Sequence, residues 1–234
     1  MKKLKKILLI ALAAVLALVI GFFVFLMIPR HAENPAQAAA STEAVAVSAM
    51  GDDYFFDGPG EDALLIFYPG APVDALAYGP LLKKIAAGGI DCYAVQMPMN
   101  MAILGQDRAD DIISRMPYSR YLIGGHSMGG LAAAGYAGKH PDQVSGVVLL
   151  AAYPGNEVTQ PVLSVYGTED GVLNPGRLEK GRGLVRDAYE EHCIPGANHA
   201  NFGNYGTQFR DGTAAISADE QQQITADYIL GMFR

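Results

Sequence analysis

Cysteine is scarce in this chain, with only Cys92 and Cys193 among 234 residues. Two thiols allow at most one disulfide, and no Cys/His spacing resembles a zinc site. No G-x-x-x-x-G-K-[ST] loop is present to cradle nucleotide phosphates, and no dinucleotide-binding fingerprint occurs. No cofactor and no metal are therefore expected. Internal repeats are absent. Positive charge is also short: 17 Lys and Arg stand against 24 Asp and Glu, for a formal net charge of −7. Five of the positive charges, Lys2, Lys3, Lys5, Lys6 and Arg30, fall at the start, so the remainder is more acidic still. That argues against nucleic acid or anionic lipid as a partner of the remainder. Acidity alone does not name a substrate.

What the chain does have is apolar surface: 50% of its residues are hydrophobic, enough for a large core. Its length fits one domain plus a small addition. The addition is at the front. A basic tip, Met1 to Lys6, precedes an apolar run from Ile7 to Ile28 without charge or proline. Such a run is long enough to cross a bilayer as a helix. The lysine asymmetry places the N-terminus in the cytoplasm. The run exceeds the roughly 7–15 residues of a secretory signal's hydrophobic region. Residues 1–30 are thus expected to form an uncleaved transmembrane signal-anchor, with the rest extracytoplasmic. The alternative is cleavage at Ala36-Gln37-Ala38, giving a secreted form that begins near Ala39. Residues 31–42 read as a low-complexity linker.

From residue 43 to 234 the pattern alternates between strands and helices. Two short extended runs, Val45 to Ser48 and Tyr54 to Phe56, suggest an antiparallel start. Strand–helix units follow, which implies an α/β fold with a mostly parallel sheet flanked by helices. Strands are expected at Ala63 to Tyr68, Asp91 to Met97, Ser145 to Ala152, Pro161 to Tyr166 and Glu191 to Ile194. Helices are expected near Ala75 to Ala87, at Arg108 to Arg115 and after the capping-box residue Ser217.

The most informative stretch is Gly125-His126-Ser127-Met128-Gly129. It lies between the apolar run Tyr121 to Ile123 and the small-residue helical run Gly130 to Ala137. In that context G-x-S-x-G reads as a tight strand–turn–helix elbow that exposes the serine hydroxyl. A serine is a weak nucleophile until a base takes its proton, and a histidine oriented by a carboxylate is such a base. Downstream, Gly167-Thr168-Glu169-Asp170-Gly171 supplies carboxylates in a turn. His199 follows in a small-residue loop. Asp170 is the candidate acid, with Glu169 as its direct rival. His126, His140, His31 and His192 are weaker candidates for the base, since none falls in a loop after the acid. Backbone N–H groups of Met128 and Ala71 are the candidate oxyanion donors; Pro72 has none to offer.

The segments FYPGAPVDALAYGPL, YAVQMPMNMAILG, YLIGGHSMGG, PVLSVYGTEDGVLN and GANHANFGNYG resemble a small bacterial α/β-hydrolase family. It is the fold-5 group, akin to dienelactone-hydrolase-like and carboxylesterase-like enzymes. The resemblance runs from about Glu43 to the C-terminus. It implies Ser127 as nucleophile, Asp170 as acid and His199 as base. Two departures stand out. Many members carry His-Gly where this chain has Pro69-Gly70, and dienelactone hydrolases use a cysteine nucleophile. The resemblance also separates the strands of Cys92 and Cys193, so two buried, unbridged thiols are expected. Only Gly155 to Gln160 separate two strands where such enzymes insert a lid, so no lid domain is expected.

The resulting expectation is a serine hydrolase acting on a small acyl ester. Met99, Asn100 and Tyr153 would line its substrate pocket, which would accept short, uncharged acyl groups. An acyltransferase or peptidase with the same three residues, or a non-catalytic binding protein on the same scaffold, are the alternatives.

Overall fold

The computed structural model describes residues 2–26 and 28–233. Its strands are β1 (Ala46–Met50), β2 (Asp53–Asp57), β3 (Ala63–Tyr68), β4 (Asp91–Ala94), β5 (Arg120–His126), β6 (Gly146–Leu150), β7 (Val162–Gly167) and β8 (Tyr189–Ile194). Its helices are α1 (Lys2–Leu26), α2 (Pro35–Ala39), α3 (Gly79–Ala87), α4 (Arg108–Arg115), α5 (Met128–Lys139), α6 (Pro175–Arg182) and α7 (Ala218–Phe233). One sheet runs in the order β1-β2-β4-β3-β5-β6-β7-β8. β1 and β2 pair antiparallel, as does β2 with β4, and every later pairing is parallel.

The central strands are buried on both faces, which explains their unbroken apolar sequences. Along β3, Leu65 and Phe67 face one core layer with Leu81, Leu82 and Ile85 of α3 and Ile229 and Phe233 of α7. Leu64, Ile66 and Tyr68 face the other layer with Ala109 and Ile112 of α4 and the alanines of α5. Each fully buried Leu, Ile or Phe contributes roughly 1.5–3 kcal/mol. Helix α7 starts where the sequence signals it: the Ser217 hydroxyl accepts the Glu220 N–H at 3.1 Å. Helix α6 was not expected, although Asn174-Pro175 is a helix-start signal. Asn174 Oδ1 caps the Arg177 N–H, and Pro175 occupies the first turn.

The chain order reverses between β3 and β5, whose neighbours lie on opposite sides of the sheet. Ligand crevices form at the carboxyl ends of strands at such a point. The register aligns Tyr68 with Gly125, so the loop after β3 and the turn after β5 emerge side by side. Among the described residues the β6–β7 connection carries no helix, so no helical lid is inserted there.

Three expectations change here. Cys92 and Cys193 are unbridged, but only Cys92 is buried. Cys193 lies on β8, the sheet edge, whose burial pattern is mostly partial. The linker 31–42 is not a bare spacer. The Arg30 N–H donates to Pro72 O at 2.7 Å and Arg30 O accepts the Asp74 N–H at 2.9 Å. Beyond it, Ala38 is buried, and the Lys83 ammonium holds Gln37 O at 2.7 Å. Finally, among the described residues no helix is long and apolar enough to cross a membrane. Met27 and several side chains of α1, those at 22–26 included, lie outside that set. The expected membrane-spanning segment therefore finds no support in the structure.

Candidate active site

Ser127 sits between β5 and α5 with φ 52° and ψ −118°. A non-glycine residue rarely adopts positive φ, and doing so costs on the order of 1–3 kcal/mol. Close packing imposes it. A Cβ on Gly129 would lie 2.0 Å from Tyr68 O, and one on Gly125 would lie 2.5 Å from the same atom. The elbow can approach β3 only because both positions are glycine. The Ser127 N–H donates to Leu150 O at 2.9 Å, tying the turn to β6.

Asp170 and His199 rise from the ends of β7 and β8, whose register sets Gly167 beside Ile194. His199 Nδ1 lies 2.9 Å from Asp170 Oδ2. Both side chains are almost fully enclosed, 1% and 2% exposed. A carboxylate can only accept, so Nδ1 carries the proton and Nε2 presents its lone pair. Asp170 Oδ1 is occupied by the N–H groups of Val172 and Leu173, at 2.9 and 2.8 Å. Glu169, the rival acid, is exposed and accepts from the Thr168 hydroxyl. His199 Nε2 is buried without a hydrogen-bond partner, and no hydrogen bond joins it to the Ser127 hydroxyl in this structure. The two residues line one cavity of about 360 Å³.

That cavity is shared with Met128, Leu131, Tyr153, Val172, Leu173, Asn174 and Arg177, among others. Met128 opens α5, so its N–H has no acceptor within the helix. Ala71 lines a separate cavity of about 310 Å³ with Pro29, Arg30 and Phe209. The Gly70 N–H, one residue earlier, is committed to Tyr78 Oη at 3.0 Å.

Of the three expected substrate contacts, only Tyr153 lines the serine cavity. Met99 and Asn100 both adopt positive φ after Pro98. This turn projects Met99 into solvent, 79% exposed, and tucks Asn100 inward. The Asn100 amide is consumed by Asp74 Oδ1 at 2.8 Å and by Gln96.

Two contributors were missed in the sequence. Arg177 enters the cavity from α6. Asp211 holds the loops of Asp170 and His199 together: its Oδ1 accepts the His199 N–H at 3.0 Å and the Gly171 N–H at 3.3 Å, and its Oδ2 accepts the Ala200 N–H at 2.8 Å. Asp211-Gly212 reads in sequence only as a turn. His126 also matters. Its ring lies 4.6 Å from that of His199, and its Nδ1 lies 2.8 Å from Tyr78 Oη. Burial, and then the proximity of the His199 ring, hold it well below the ordinary histidine value. His126 Nδ1 and Tyr78 Oη thus share a hydrogen bond, and Tyr78 Oη also accepts the Gly70 N–H. Among the described residues no three His, Cys, Asp or Glu side chains gather in a metal-holding group.

Comparison with known proteins agrees with this architecture. A crystal structure of a CIB-like hydrolase from Thermoplasma acidophilum superposes with a TM-score of 0.60 at 15% identity, covering 80% of this chain and 99% of that one. An esterase from Mycobacterium tuberculosis gives 0.61 at 14% identity over 86% and 95% of the chains. A monoacylglycerol lipase from Paleococcus ferrophilus gives 0.62 at 15% identity over 76% and 98%. At such identities the likeness is one of fold. A curated protein of Mycobacterium phage D29, which carries the provisional name non-heme haloperoxidase, is 30% identical over 108 residues. That match spans 42% of this chain and only 39% of the phage protein. The family model described as "Alpha/beta hydrolase family" matches residues 64–223, which include the elbow, the acid turn and the histidine loop. The chain belongs to the alpha/beta hydrolase family.

Proposed function

We propose that this protein is a serine hydrolase that cleaves carboxylic esters through Ser127, His199 and Asp170. One observation carries the reading: a buried histidine, oriented by a buried aspartate, leaves Nε2 unpartnered in the cavity that holds a serine on a strained elbow. Ser127 Oγ attacks the acyl carbonyl carbon as its proton passes to His199 Nε2. The tetrahedral adduct collapses, the alcohol leaves with that proton, and an acyl-serine ester remains. Water then attacks this ester by the same route and restores the serine. The Met128 N–H stabilises the oxyanion. Rotation of the Ser127 hydroxyl toward Nε2 completes the arrangement, an adjustment common when catalytic bonds tighten only with substrate bound. The esterase and lipase among the structures of like fold favour the ester class.

The apolar sequence from Ile7 to Ile28 is proposed to anchor the enzyme in a membrane with the domain outside. Support comes from the lysine-led apolar sequence and from the exposure of its described residues, Leu9, Leu12, Leu16 and Leu18 among them. The bonded segment from Arg30 to Ala38 argues against cleavage at Ala38, which would strip those contacts. Three residues lie between Leu26 and Arg30, so four Cα–Cα steps join them. The anchor would therefore hold the loop after β3 within roughly 14 Å of the membrane end of the helix.

A fluorophosphonate probe and a nitrophenyl ester series of increasing acyl length test the function. The wild type is expected to label at Ser127 and to turn over short esters best, since no lid encloses a long chain. Ser127→Ala is expected to abolish both. Labelling that survives Ser127→Ala, or a maximum at long-chain esters, would contradict the mechanism or the open site respectively.

A further inference from the structure

Ester cleavage as described leaves one group in the serine cavity without a task. Arg177 is the only Lys, Arg, Asp or Glu among the residues lining it. The residue is held at two points. Its N–H donates to Asn174 Oδ1 at 3.0 Å, and its Nη1 donates to Tyr153 Oη at 3.2 Å. Tyr153 lines the same cavity, so the exposed guanidinium is tied to another residue of the cavity lining. Among the described residues Arg177 has no ion-pair partner. Later in the chain Arg182 is held by Glu179 and Glu191, and Arg186 by Glu157, while among the described residues Lys180 of the same helix is also unpaired but lines no part of the cavity. A chain with an excess of carboxylates has left unpaired the one arginine that reaches its candidate active site.

We propose that Arg177 is a specificity-determining residue that receives a carboxylate on the substrate, so that the preferred esters are anionic. The inference rests on the reading of Ser127 as nucleophile. A guanidinium offers five donors in a planar fork that matches a carboxylate in two parallel bonds. Tyr153 occupies one Nη1 donor and leaves the others for a ligand. Leu131, Val172 and Leu173 form an apolar wall in the same cavity, suited to the carbon chain between ester and carboxylate. The sequence expectation of uncharged acyl groups leaned on Met99 and its neighbours, which the fold places outside this cavity. The charge in it comes instead from α6.

Two matched ester pairs test this. Mono-4-nitrophenyl adipate against 4-nitrophenyl hexanoate places the charge on the acyl side. The 3-carboxyphenyl ester of acetic acid against its 3-carbamoylphenyl counterpart places it on the alcohol side. The readout is the ratio of kcat/KM, anionic over neutral, within each pair. Arg177→Gln is expected to lower that ratio by about 10- to 100-fold in one pair, the scale of a lost hydrogen bond to a charged group. Arg177→Lys should lower it less, because the point charge remains without the fork, and Arg177→Glu should lower it further. Ratios that stay within about twofold in both pairs, the scatter of an ordinary exposed substitution, overturn the assignment. Fluorophosphonate labelling reports the nucleophile separately. Labelled protein without an Arg177-dependent ratio defeats the anion site alone. Unlabelled protein defeats the nucleophile reading and this inference with it. Labelled protein that turns over none of the four esters means that the ester class is wrong, and the assignment falls too.

Discussion

Asp211→Asn is the perturbation that most directly tests how the histidine loop is held. One carboxylate accepts four backbone N–H groups, those of His199, Ala200, Gly171 and Gly212. An asparagine oriented to keep its oxygen toward His199, Gly171 and Gly212 turns its NH2 toward the Ala200 N–H. Two donors then face each other. The Ala200 bond, at 2.8 Å, is lost outright, at a cost of about 1.5–3 kcal/mol for a bond to a charged group. The remaining bonds weaken as the acceptor loses its charge. The total is roughly 2–4 kcal/mol. For a domain of this size that lowers Tm by roughly 5–12 °C. Position is affected as well as stability, because His199 and Gly171, next to Asp170, share Oδ1. A shift of about 1 Å in a catalytic group can cost on the order of 100-fold in rate. Calorimetry gives the Tm, and steady-state hydrolysis of a short nitrophenyl ester well below it gives kcat and KM. A fall in kcat with KM little changed is expected. If Tm drops while kcat stays within twofold of wild type, Asp211 is only a structural staple. If neither moves, the accounting of these bonds is wrong.

Asp170→Asn should lower kcat by about 10⁴-fold, as expected when a histidine loses the carboxylate that sets its tautomer, whereas Glu169→Gln should stay within about twofold; the reverse ranking in the same assay would shift the acid by one residue. His126 supplies a pH test. Its folded-state value lies below that of the unfolded chain because of burial, so its contribution to stability is present above about pH 6.5 and is lost as pH falls from there through the depressed value. His126→Asn should therefore show a flatter Tm profile than wild type between about pH 6.5 and 5, and parallel profiles would refute the argument. For the anchor, protease added outside intact cells should digest the domain while the chain keeps its N-terminal lysines. A soluble form beginning near Ala39 would show cleavage instead.

The local chemistry of this protein was legible in its sequence because it depends on short-range signals. Gly125 and Gly129 around Ser127 announce a turn that must pass close to a strand. The all-apolar Ala63 to Tyr68 run announces a strand buried on both faces, and Ser217 announces the start of α7. The order of Ser127, Asp170 and His199 follows from chain connectivity, so the His199–Asp170 pair could be named before any coordinates. The lining of the cavity could not. Met99 and Asn100 were expected there because their loop lies at the correct edge of the sheet, but positive φ at both residues sends one to solvent and binds the other to Asp74. Ala71 follows a glycine committed to Tyr78 and lines a separate cavity. Arg177 and Asp211 carry no local mark of their roles. Arg177 reaches the cavity because a capped helix after β7 aims it there, and Asp211 meets His199 and Gly171 across 12 and 40 residues of chain. Motif positions are set by the backbone preferences of a few neighbouring residues. Which side chains meet over such separations depends on how whole loops pack, and that was decided only in the folded molecule.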